Sequence, residues 1–162
     1  MTDPYDLIHQ LLREYRYEEV IDLLYVSASS KLNRSYESDE NHGWYILGDI
    51  YFKKKDFQKA LHFFNKALQA WGEDLDSMLA ISNIYSLEGN PQKVINFLEP
   101  TVKSFIDARL TYNYANALFD LGRYEDSVWF YHKVSKSNIE LHDLARNNIK
   151  SARYQISQRK AH

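Results

Sequence analysis

The sequence predicts an all-α protein, a solenoid of antiparallel helix pairs. Three observations carry that prediction. Apolar residues recur at helical spacing along almost the whole chain. Glycine and proline are sparse, five and three in 162 residues, so helices joined by short turns are favoured. A pattern of large and small residues then repeats with a period near 34 residues.

The repeat is clearest in the stretch WYILGDIYFKKKDFQKALHFFNKA, residues 44–67. Trp44, Leu47, Gly48 and Tyr51 mark a first helix. Ala60, Phe64 and Ala67 follow at the distances a second, antiparallel helix requires. The same register returns as Met78, Ile81, Ser82 and Tyr85, then Val94, Leu98 and Thr101. It returns again as Thr111, Tyr114, Ala115 and Leu118, then Ser127, Tyr131 and Val134. The small series Gly48, Ser82, Ala115 lets paired helices approach closely. The series Phe63, Phe97, Phe130 is read as packing between neighbouring pairs. Gly89 and Gly122 stand 33 residues apart at the expected turns, where a left-handed residue ends a helix without strain. Lys55 holds that place in the first clear unit, so its turn is expected to differ.

These residues resemble the tetratricopeptide repeat, a helix–turn–helix unit of about 34 residues with a W-x-x-L-G-x-x-Y signature. The resemblance implies a right-handed solenoid. The expected division is a degenerate repeat at 1–34, a loop insertion at 35–40, clear repeats at 41–74, 75–107 and 108–137, and a capping helix at 138–160, all within one domain of 1–162.

The degenerate repeat begins with Asp3 as cap and Pro4 as first residue, which lacks only an N–H that needs no partner there. Leu7, Ile8, Leu11 and Leu12 form its first stripe and Tyr17, Val20, Ile21 and Leu24 its second, with the turn near Tyr15-Arg16. The insertion SYESDE is polar and reads as a mobile loop. Pro100 falls inside an expected second helix and predicts an end or kink near Glu99. In the last helix Leu141, Leu144, Ala145, Ile149, Ala152 and Ile156 form an apolar face, and Arg146, Lys150 and Arg153 a basic one. Such a helix is expected to cover the open core at the end of an array.

Composition sets limits. A net charge of −2 and a pI near 6.3 argue against bulk nucleic-acid binding. No cysteine is present, so disulfides and thiolate metal sites are excluded. No apolar run reaches the ~20 residues of a membrane span, and the start lacks the basic and apolar regions of a signal peptide. A soluble, cytoplasmic protein without membrane insertion is expected. His9, His42, His62, His132, His142 and His162 are scattered, with no zinc-binding pair on one helix. Neither a phosphate loop nor a nucleophile elbow is found. No enzyme activity, cofactor or metal is therefore expected.

The resemblance implies a concave groove lined by first helices, holding a peptide or helix of a partner protein. Its lining is expected to be Tyr5, His9 and Leu12, then Tyr45, Asp49 and Phe52, then Leu79, Asn83 and Ser86, then Arg109, Tyr112, Asn116 and Phe119. From these, the partner-binding set is Tyr45, Asp49, Phe52, Asn83, Arg109, Tyr112, Asn116 and Phe119. Aromatic faces and amides suit an extended backbone, and Arg109 suits a carboxylate. The subtype that grips the C-terminal carboxylate of heat-shock chaperones fits poorly, because Tyr45 stands where a lysine is needed and Asp49 repels a carboxylate. An adaptor or assembly scaffold is the leading expectation. The alternatives are a dedicated small chaperone like those of type III secretion, and part of a larger scaffold subunit like those of the anaphase-promoting complex. Trp129, expected on an outer face, also suggests a homo-oligomer contact.

Overall fold

The computed structural model describes residues 3–104, 107–134 and 138–161. His162 and the expected repeat end at 137 lie outside them. Contacts cluster into two compact units, residues 1–77 and 78–162, where the repeat pattern anticipates one array.

In the first unit, α1 (Tyr5–Arg13) and α2 (Tyr17–Leu24) form one helix pair, and α3 (Glu40–Lys53) and α4 (Phe57–Ala70) form the next. The side chain of Asp3 accepts the Tyr5 N–H at 2.9 Å and secures the start of α1. Asp39 and Asp56 cap α3 and α4 in the same manner, through the His42 and Lys59 N–H groups. The core joins both pairs: Ile8, Leu11, Val20 and Leu24 share one cluster with Trp44, Leu47, Ile50 and Phe63. Phe63 stacks between Trp44 and Tyr51 and meets Tyr25 edge-on. Trp44 and Tyr51 belong to its own helix pair, and Tyr25 meets it from the connection that follows α2.

The connection between the pairs corrects the expected loop. A short antiparallel hairpin, β1 (Tyr25–Val26) with β2 (Lys31–Leu32), pairs Tyr25 with Leu32. A 3-10 helix, Arg34–Asp39, follows. It covers most of the stretch 35–40. Tyr36, the one aromatic in SYESDE, is only 6% exposed and meets Tyr5 edge-on, so the insertion is fastened to the core by its own side chain.

The second unit holds most of α5 (Leu75–Leu87), then α6 (Pro91–Ser104), α7 (Ala108–Asp120), α8 (Tyr124–Lys133) and α9 (Ile139–Lys160). Asn90, Asp107 and Asn138 cap α6, α7 and α9. Val94, Leu98, Leu110, Tyr114 and Leu118 are buried, and Ala145 and Ile149 of α9 join Ala115, Tyr131 and Val134 in one cluster. The capping role expected for the last helix agrees with this burial. Leu144, expected on its apolar face, is instead 43% exposed.

Pro100 does not end α6, which continues to Ser104. Proline removes one donor, to the carbonyl four residues back. That residue, Asn96, is exposed.

Four turns repeat one geometry. Tyr15, Lys55, Gly89 and Gly122 have φ of 58°, 61°, 68° and 72°. In each, the left-handed residue's N–H bonds the carbonyl three back, and the next N–H bonds the carbonyl five back from itself, as in Asp56 to Tyr51 and Arg123 to Leu118 at 2.9 Å. This is the Schellman helix end. Lys55 was expected to turn differently and does not: the bond pattern is retained and a non-glycine residue bears the strained φ.

Candidate functional site

The expected binding residues fall on two units. On α3, Tyr45, Asp49 and Phe52 are spaced four and three apart, which stacks them on one face. All three are half-buried. The Tyr45 ring lies 5.6 Å from that of Phe64, and Phe52 lies 5.8 Å from Phe57, so both aromatics rest on α4. Asp49 accepts from Lys53 Nζ at 2.6 Å, one turn on. That bond raises the Lys53 pKa above its ordinary value. The face of α3 thus presents two aromatic rings with a locally balanced charge between them.

In the second unit, Asn83 of α5 is exposed, and its Oδ1 accepts from Asn113 Nδ2 at 2.7 Å. Arg109 is drawn 3.5 Å from Asp107, whose other oxygen accepts the Arg109 and Leu110 N–H groups. Phe119 packs edge-on to Tyr124 at 5.1 Å.

Tyr112 and Asn116 have a further role. Asn148 of α9 reaches between them: its Nδ2 lies 3.1 Å from the Tyr112 hydroxyl, 3.1 Å from Asn116 Oδ1 and 3.2 Å from the Tyr131 hydroxyl. Tyr131 in turn donates to Asn116 Oδ1 at 2.6 Å. Burial pushes the Tyr131 phenol well above its ordinary pKa, so it remains a neutral donor. The polar atoms of Tyr112 and Asn116 therefore hold the terminal helix in place, and these two side chains are structural as well as candidate contacts. Asn148 was not singled out in the sequence. The signal was there: it lies three residues after Ala145 and one before Ile149, a polar residue on the inward face of an otherwise apolar stripe.

Among the expected groove residues at the chain start, Tyr5 is corrected. Tyr5 is 4% exposed and belongs to the core, its hydroxyl donating to the Asp39 carbonyl at 2.8 Å. Its aromatic ring fills space left beside the unforeseen 3-10 helix. His9 is half-buried, with its Nε2 3.1 Å from that of His42.

The first unit also carries a cleft of about 470 Å³ between the hairpin, the 3-10 helix, α3 and α4. Lys31, Lys66, Glu37 and Glu40 line it, so its charges balance. Lys66 Nζ sits 4.3 Å from the centre of the Trp44 ring and donates to the Ser30 carbonyl at 3.0 Å. Trp129 on α8 is 54% exposed, with Lys133 Nζ 3.8 Å from its ring centre.

Among the described residues, no group of three or more His, Asp or Glu side chains is placed to hold a metal ion, and no helix is long and apolar enough to cross a membrane.

The family model of the tetratricopeptide repeat matches residues 43–71. The span takes in most of α3, the Lys55 turn and all of α4. No curated protein matches the chain. The repeat is a unit of protein–protein interaction, and the helix pairs that flank it share its turn geometry. The chain thus carries a tetratricopeptide repeat at residues 43–71, set within a succession of paired helices.

Proposed function

We propose that the chain binds a peptide or helix of a partner protein through the first-helix faces of its repeats and serves as an adaptor or assembly scaffold. The matched repeat at 43–71 carries this reading. Its first helix offers Tyr45, Asp49 and Phe52 on one face. The second unit offers Asn83, Arg109 and Phe119, with Tyr112 and Asn116 supporting α9 beside them. Aromatic rings already packed from below lose little side-chain freedom on binding, which favours them as contacts.

The test is capture of partners from the source cell with mass spectrometry, followed by calorimetry with the purified partner. Hot-spot truncations cost about 2 kcal/mol or more. Asp49→Ala with Phe52→Ala, or Arg109→Ala alone, is expected to weaken binding by tenfold or more with the helical signal unchanged. Unchanged affinity in both variants refutes these faces as the site. Tyr112→Ala and Asn116→Ala are unsuitable as first probes, because both also release Asn148.

A further inference from the structure

We infer that His9 and His42 form a two-histidine site for a divalent transition-metal ion of zinc's type, bridging α1 to α3. The two residues are 33 positions apart in sequence and on different helices, yet their Nε2 atoms stand 3.1 Å apart. Two imidazoles bound to one tetrahedral zinc at 2.0–2.1 Å place their nitrogens about 3.4 Å apart. Opening the pair by ~0.3 Å, a small ring rotation, meets that requirement. Without an ion, one ring must donate an N–H to the other. A metal replaces that shared proton.

The surroundings favour a cation. The pair opens into a cleft of about 310 Å³, which leaves room for water to complete the coordination. Asp3, Ser38 and Asp39 line the same cleft, so two carboxylates bias its potential towards positive charge. The rings are held in advance. Tyr5 lies edge-on to His42 at 4.7 Å and tilted to His9 at 6.2 Å, and its own hydroxyl is tied to the Asp39 carbonyl. Imidazole ligands suit zinc, copper and nickel, whereas calcium and magnesium want oxygen. Among the described residues the site has two ligands and no third in position, so the ion remains exchangeable and its outer positions are water.

The probe is zinc chloride, titrated into the full chain without an affinity tag and freed of metal. One equivalent is expected to bind saturably and to raise the melting temperature. His9→Gln and His42→Gln are each expected to weaken binding at least tenfold, while His62→Ala, at an exposed histidine on α4, leaves it unchanged. In the wild-type protein, the imidazole Nε2 resonances of His9 and His42 are expected to shift together on addition of zinc. That readout decides the matter even if a variant fails to fold. The proposal is overturned by an absence of saturable binding, by binding that survives His9→Gln, or by Nε2 resonances that do not move. The last two results leave the pair as a proton-sharing contact that packs α1 on α3.

Discussion

Gly48→Ala tests the packing of the matched repeat most directly. An ordinary glycine inside a helix is replaced by alanine with a gain of about 1 kcal/mol, because alanine is the better helix former. At position 48 an added Cβ would stand 2.6, 2.7 and 2.9 Å from three ring carbons of Phe64. Real contacts essentially never close below 3.0 Å. The atoms concerned belong to a ring that is 1% exposed, not to the tip of a mobile chain, so the ring cannot swing aside. Forcing extra volume into a packed core costs about 1–3 kcal/mol, and three simultaneous overlaps put this case at the upper end. Set against the propensity gain, the net loss should be roughly 2 kcal/mol. For a unit of this size that lowers the melting temperature by roughly 8–16 °C. The assay is thermal and urea unfolding followed by circular dichroism. Gly72→Ala serves as control, since its Cβ would meet nothing closer than 3.9 Å. Phe64→Leu should recover part of the loss when combined with Gly48→Ala, because the two sites share one contact and cannot be additive. A Gly48→Ala protein that is as stable as the parent, or more so, refutes the close approach of α3 and α4.

Other consequences concern the turns, the terminal helix and the outer surface. Gly89→Ala should destabilise by about 1 kcal/mol through its φ of 68° alone, since no atom lies within 4 Å of the added Cβ. Lys55→Gly should stabilise by up to about 1 kcal/mol, because it relieves a left-handed φ of 61°; urea midpoints of the two variants check both signs. Asn148→Ala should cost about 1–2 kcal/mol and speed amide hydrogen exchange in α9 before it affects α3 and α4. If the exposed Trp129 is a contact between copies of the chain, Trp129→Ala should lower the sedimentation coefficient of any dimer, and an unchanged dimer assigns this ring no part in it.

Much of this architecture could be read from one sequence, because a repeat states the same packing rule several times. Gly48, Ser82 and Ala115 are small for one reason, and the overlap with Phe64 shows the reason at Gly48. Gly89 and Gly122 announced their turns because glycine is the residue that adopts positive φ without strain. Lys55 and Tyr15 carry the same turn silently. There the surrounding helices impose a backbone state that the residue type does not advertise. Pro100 is read less well by a local rule: the helix does not end near Glu99 but runs on to Ser104.

The candidate site divides along the same line. Helical spacing alone puts Tyr45, Asp49 and Phe52 on one face, and Arg109, Tyr112 and Asn116 on another, since residues three, four and seven apart stack whatever surrounds them. Spacing says nothing about what arrives from a distance. Asn148 reaches Asn116 across 32 positions, Tyr36 leaves its polar neighbours for the core, and His9 meets His42 across 33. Such contacts depend on how whole helices pack, so they are decided only when the apolar faces of those helices have been buried against each other.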